Sequence, residues 1–431
     1  MKNEIAYDIT HLAHRRHYPA PAGIEKVDLA YARYFSENRD ILCAAIHYGV
    51  TDPILFDSKW VKRLVALLSE RWREDLSSDH DEKFLRLRAW LLNPSENAPK
   101  EEKRETASRA AAATARSSLR TAWLSLLRNR REKIPEGATY LNVAQHGLEF
   151  GFFFRWLAKR PDLQKIFFIH DLLPLDYPEF WPDGHEERFL KRVSCALAHG
   201  TAFLTSSIYV RDRLHSELVH HGRRVVPIFS RPLLPTTLIG DDKTIADGEL
   251  DEIPYFLAIG TVEPRKNHLL LLNIWREFVA SGRPVPKLIL VGKRGWMNGQ
   301  ILSQLDQAKG LGPHVAEVSG LANPSLKHLI QHARAVLVPS FAEGFGLPAV
   351  DALAVGTPVL ASDIPALREA TSGHALFRHP LDGLGWHNAI LQLSDDDSVL
   401  SRDARALAAE FRPITESEYF GGLKGFIASL K

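Results

Sequence analysis

Cysteine is nearly absent from this chain: Cys43 and Cys195 are the only two among 431 residues. They stand far apart in apolar surroundings, which excludes a disulfide framework and predicts buried free thiols in a reducing compartment. No stretch approaches the roughly 18 to 20 apolar residues that a membrane-crossing helix needs. The opening residues, MKNEIAYDITHLAHRR, hold no apolar signal core. A cytoplasmic location is therefore expected, with any membrane contact peripheral. A charge excess of one sign is missing too: the formal net charge is +2 with 25% charged residues, so nothing global points to nucleic acid or another polyanion. Neither a zinc-type Cys/His spacing nor a Walker phosphate loop occurs.

What is present is size and a pattern used twice. At about 150 residues per domain, 431 residues with 45% hydrophobic content predict two or three domains with sizeable cores, two being the better fit. Short β-branched and aromatic runs alternate with amphipathic helical segments, as parallel βαβ units require. In the first half the predicted strands are 4–10, 41–49, 138–144, 165–171, 201–207 and 224–230, with nothing strand-like over 50–137. In the second half they are 255–260, 287–292, 316–320, 335–340, 358–362 and 374–379. Between the sets, RPLLPTTLIGDDKTIADGELDEIP (231–254) carries enough proline and glycine to break regular structure and reads as the linker. The expected domains are 1–235 and 236–412, and 413–431 is expected to form a helix docking back toward the first domain.

The stretch from about 55 to 135 interrupts the first half. From Lys103 to Lys133 it holds nine Lys or Arg against two Glu. Either this is a basic amphipathic helix whose Leu119, Trp123, Leu126 and Leu127 meet an anionic membrane, or the insertion is a helical hairpin packed on its own domain. Asp79-His80-Asp81 within it imitates a metal-binding acid pair, but its place in a polar turn between helices predicts a helix cap. The acidic SDDDSV (394–399) reads as a solvated loop.

The densest chemistry lies in SFAEGFGLPAVDALAVGTPVLASDIPALREA (340–370). A strand ends at Ser340, Gly344 and Gly346 let backbone approach a ligand, and Pro348 suits a first helical turn. Gly356 closes the helix and Pro358 starts the next strand. The helix start, with Phe345 and Leu347 around the glycines, offers N–H groups suited to phosphate. Glu343 precedes the glycines and Asp351 is placed in the first turn, so both are expected to reach one crevice and accept hydrogen bonds from sugar or ribose hydroxyls.

This segment resembles the signature of family 4 retaining glycosyltransferases of GT-B fold (glycosyltransferase group 1), in which two glutamates are separated by seven residues. The resemblance implies two Rossmann-like domains facing across a cleft, with the helical insertion in the N-terminal one. It implies donor-sugar contact for Glu343 and ribose contact for Asp351, which replaces the usual glutamate with a shorter acid. AIGTVEPRKNHLLLLNIWREF is similar to the family's diphosphate turn, which assigns Arg265 and Lys266 to the leaving nucleoside diphosphate. Thr261 stands after Gly260 where many members have arginine. Gly292 and Lys293, in VGKRGWMN, are expected on the base or phosphate side, or in a structural turn.

In the first half, Gly23 opens a helix with an apolar face through Ile24, Val27, Tyr31 and Tyr34, where the family has its N-terminal glycine loop. His170 and Asp171 end a strand, the position from which parallel sheets present ligand-contacting groups. The resemblance places them at the donor sugar and acceptor. His146 and Glu149 end another strand and are candidates for the acceptor side.

The expected reaction is metal-independent transfer of a hexose, possibly mannose, to a glycan or lipid-linked glycan hydroxyl in bacterial polysaccharide or lipopolysaccharide synthesis. No cofactor is expected beyond the nucleotide-sugar donor. A nucleotide-sugar epimerase of related architecture and a catalytically silent nucleotide-sugar- or membrane-binding subunit are the alternatives.

Overall fold

The computed structural model describes residues 4–16, 21, 23–37, 41–45, 53–56, 58–72, 78–93, 98–99, 134–223, 226–236, 247–308 and 310–430. The basic stretch proposed for a membrane face lies outside them.

Two sheets organise the chain. The first runs through β1 (Ile5–Asp8), β2 (Ile41–Ala45), β3 (Ile54–Phe56), β4 (Thr139–Asn142), β5 (Gln164–Ile169), β6 (Ala202–Thr205) and β7 (Ile228–Ser230), in the order β3-β2-β1-β4-β5-β6-β7. The second comprises β8 (Tyr255–Ile259), β9 (Lys287–Val291), β10 (Val315–Val318), β11 (Ala335–Val338), β12 (Val359–Ser362) and β13 (Leu376–Arg378), in the order β10-β9-β8-β11-β12-β13. All pairings are parallel except β2 with β3. Strands β1, β4, β6, β9 and β11 are buried along their whole length because helices cover both faces, which is why they read as continuous apolar runs.

β3 corrects the expectation that nothing strand-like occupies 50–137. Three residues are too few for a periodic signal, and only the free edge of β2 recruits them as an antiparallel strand. The helix Gly23–Glu37 corrects another: Val27 and Tyr31 are buried and Tyr34 is partly covered, but Ile24 is exposed. That helix buries Asp28 instead, whose carboxylate meets the Tyr7 hydroxyl and His11 Nδ1.

The helix Glu416–Ser429, capped by a reciprocal Thr415/Glu418 box, lies against the first sheet's layer. Tyr31 and Tyr419 share a hydroxyl hydrogen bond of 2.6 Å, and Phe420 stacks on Tyr34 with ring centroids 3.8 Å apart.

The insertion behaves differently from a hairpin on its own domain. Its helix Ser58–Arg71 packs on Gly23–Glu37, with Arg33 donating to Ser69 Oγ. Its helix Glu82–Leu92 crosses to the other sheet. Phe84, Leu87, Trp90 and Leu91 share one apolar core with Ile289, Val291, Ala316 and Val318, and Arg88 grips Asp247 with bonds of 2.8 and 2.9 Å. Asp81 caps that helix, accepting from the N–H groups of Lys83 and Phe84, as the sequence predicts.

Candidate active site

The carboxyl ends of both sheets face one cleft. On one side β11 runs into the loop Pro339–Gly346 and the helix Leu347–Ala354, with Pro348 in its first turn and Gly356 in the left-handed conformation beyond its end. On the same side β8 runs into the turn Pro264–Lys266.

Glu343 is the centre of charge. Its Oε1 accepts from Lys266 Nζ at 2.6 Å and from Ser340 Oγ at 2.7 Å, while Oε2 accepts from Arg265 Nη1 at 2.9 Å. Burial alone would raise its pKa, but Lys266 and Arg265 bring it down to about 2. Arg265 also donates to Glu263 Oε1 and to the Ala342 carbonyl. Glu263 went unnoticed in the sequence, although an acid two residues before the arginine was there to see. Asn267 fixes the turn: its backbone is left-handed, and its side chain donates to the carbonyls of Pro339 and Pro380.

The strand ends interlock closely. A Cβ at Gly292 would lie 1.8 Å from the Gly260 carbonyl oxygen, so only glycine lets β8 and β9 end side by side. Lys266 lies along Gly260, and Thr261 packs where Gly295 leaves room. Lys293 accepts from the Val262 N–H through its carbonyl.

The first sheet supplies the opposite wall. His170 and Asp171 follow β5, and a Cβ at Gly344 would come within 2.6 Å of Asp171 Cβ and 2.8 Å of the His170 carbonyl. Gly344 is thus one point where the two halves touch, and Ser207 Oγ donates to its carbonyl. Burial raises the Asp171 pKa, offset partly by Arg265. Burial lowers that of His170 to about 4, so its ring is neutral near pH 7; its Nε2 lies 2.8 Å from the Val143 carbonyl. Gly23 faces the glycine loop, with Leu347 Cδ1 3.7 Å from the position a Cβ would take. Phe345 is buried, and Gly346 stands at the helix start.

One candidate is placed differently from the sequence expectation. Asp351 is the fifth residue of its helix and therefore lies in the second turn, with its carboxylate accepting from both the N–H and the hydroxyl of Thr236 in the linker. Glu149 pairs with Arg192 at 3.3 Å, while the His146 ring lies tilted against those of His11 and His14. The segment Tyr177–Trp181, which the sequence reading passed over, also reaches across. The Trp181 ring centroid lies 6.0 Å from Arg265 Cζ, Phe180 stacks on Phe341, and the Phe180 carbonyl accepts from Trp296 Nε1.

Residues 242–397 match the family model described as glycosyl transferases group 1. The serotype-specific mannosyltransferase WbdA of Escherichia coli is 28% identical over 226 residues, covering 49% of this chain and 27% of that protein. The O-antigen chain mannosyltransferase B of Escherichia coli is 29% identical over 235 residues, covering 53% of this chain and 61% of that protein. The chain thus spans about a quarter of the first relative and less than two thirds of the second. The structure of sucrose-phosphate synthase from Thermosynechococcus elongatus superposes with a TM-score of 0.58 at 16% identity, covering 100% of both chains. Residues 242–397 thus carry the match to glycosyl transferases group 1, in a chain of GT-B fold.

Proposed function

We propose that the protein is a retaining glycosyltransferase that moves a hexose from a nucleoside-diphosphate sugar to a hydroxyl of a glycan or lipid-linked glycan. Mannose is the first candidate, because both curated relatives described above carry the name mannosyltransferase. The observation that carries the reading is the arrangement of Arg265 and Lys266 around Glu343 at the strand ends, with Asp171 and His170 opposite.

In this reading the diphosphate joins Glu343 around the two cations. Arg265 offers a planar fork and Lys266 a point charge, and both are already oriented, so they stabilise charge building on the leaving group without reorganising. The bond from the anomeric carbon to the diphosphate breaks as the acceptor oxygen bonds to that carbon on the same face. The acceptor proton passes to the departing phosphate oxygen, so no separate base is consumed and configuration is retained. Asp171 and the neutral His170 orient the sugar and acceptor hydroxyls.

Bacterial polysaccharide or lipopolysaccharide synthesis is the expected setting, and contact of the 103–133 stretch with an anionic membrane belongs to the same proposal. Among the described residues no helix is long and apolar enough to cross a membrane. The test is a panel of GDP, UDP, ADP, dTDP and CMP with their sugars. One nucleoside diphosphate should raise the melting temperature and its sugar should support transfer; no stabilisation by any would remove the donor site.

A further inference from the structure

The helix Glu82–Leu92 belongs by sequence to the N-terminal half, yet it is built into the other sheet's layer. Polar contacts hold it at both ends. At the far end Arg88 holds Asp247, and Lys287 Nζ sits 4.2 Å from the Trp90 ring centroid. The near end lies at the carboxyl end of β10, the side on which open α/β sheets bind ligands. There the fully buried Asp81 accepts from the Ala322 N–H at 2.8 Å through Oδ2, while its Oδ1 caps the helix. Lys83 Nζ donates to the Ser319 carbonyl and lies 3.5 Å from where a Cβ of Gly320 would be. The loop Ser319–Ala322 is thus held by a segment more than two hundred positions earlier in the chain.

That loop is tied to the cations step by step. The Val318 carbonyl accepts from the Gly292 N–H, and the Val291 carbonyl accepts from the Gly260 N–H beside Lys266. Two strand spacings, roughly 10 Å, separate the loop from the turn bearing Arg265 and Lys266. A nucleoside attached to a diphosphate at that turn extends over a comparable distance. We propose that Asp81 and Lys83 are positioning residues for the nucleoside end of the donor, acting through the loop Ser319–Ala322. This rests on the donor reading above and adds to it a contribution from the insertion: the segment that interrupts the N-terminal half helps set which nucleotide the C-terminal half accepts.

The experiment uses the full chain and compares the affinity for the best-binding nucleoside diphosphate with that for inorganic pyrophosphate, which reads the cations alone. Lys83→Met and Asp81→Asn should weaken the nucleoside diphosphate about tenfold while leaving pyrophosphate unchanged, and Lys83→Arg should restore most of the loss. Arg88→Ala loosens the same helix at its other end and should lower the melting temperature without altering the ratio. Lys83 is exposed, so its variant tests the idea even if Asp81→Asn fails to fold. An unchanged ratio in Lys83→Met, or an equal loss of both ligands, overturns the proposal. If the unmodified protein binds pyrophosphate but no nucleoside diphosphate more tightly, the donor reading falls with it; if it discriminates normally and the variants do too, only the role of the insertion falls.

Discussion

Lys266 donates to Glu343 at 2.6 Å, with both side chains almost wholly buried at the carboxyl ends of β8 and β11. In the donor reading proposed above this cation faces the diphosphate, and an acid of the same sheet balances its charge meanwhile. Lys266→Ala should lower transfer by about a hundredfold or more, the scale of losing one preorganised donor. Release of nucleoside diphosphate from the donor measures it, and near-normal turnover would remove the diphosphate role.

Glu343→Gln leaves Arg265 and Lys266 buried with one carboxylate fewer. Removing one partner of a buried ion pair costs on the order of 3 kcal/mol, so the variant should melt earlier without ligand. Pyrophosphate then supplies the missing anion and should stabilise the variant more than it stabilises the unmodified protein. Equal shifts in both would mean that Glu343 does not balance these cations.

Gly292→Ala forces a Cβ to within 1.8 Å of the Gly260 carbonyl oxygen unless the backbone moves. Overpacking of this kind costs about 1–3 kcal/mol. Because the displaced backbone leads to Lys266, calorimetry should show weaker nucleotide binding together with the lower melting temperature. A variant with both properties intact would show that the two strand ends have slack.

Acid should destabilise the fold in two stages. Burial lowers the pKa of His146 to about 3 and those of His170 and His268 to about 4, from 6.5. The unfolded chain therefore binds more protons than the folded one below about pH 6.5, and stability present at pH 7 is lost as pH falls from there toward about 4. Glu343, brought down to about 2 from 4.5, adds a loss between those values with the same sign. Melting temperatures from pH 7.5 to 4.5 should decline, less steeply in His146→Asn, and a flat profile would contradict these environments.

The Tyr31–Tyr419 hydrogen bond joins the C-terminal helix to the helix behind Gly23. Tyr419→Phe should cost about 1 kcal/mol, and pairing it with Tyr31→Phe should cost less than the sum of the two single changes. Denaturant titrations of the four proteins decide it; strict additivity would mean that the hydroxyls act independently.

Much of the site is legible along the chain because strand, glycine loop and helix follow one another directly. The stretch from Ser340 to Gly356 announces its own geometry through Gly344, Gly346 and Pro348, and the turn at Arg265 and Lys266 does so more weakly. Asp351 was harder to read, since the shorter acid meets Thr236, a residue 115 positions away whose presence no local pattern signals. Glu263 and Trp181 escaped because their importance comes from reaching Arg265, one from the same turn and one from across the cleft. β3 escaped because an edge strand of three residues owes its existence to the partner it pairs with.

By itself the sequence determined the alternation of strands and helices, the two-part division and the composition of the loops at the strand ends, because hydrophobic periodicity and glycine or proline placement act over a few residues. Only the tertiary structure decided that Glu343 stands between Arg265 and Lys266, that Gly344 touches Asp171, and that the helix Glu82–Leu92 covers the second sheet instead of the first. Those relations depend on which surfaces find complementary apolar area and charge across the fold. The amphipathic stripe of Phe84, Leu87 and Trp90 specifies that a partner is needed, and packing against Ile289 and Val318 determines which one.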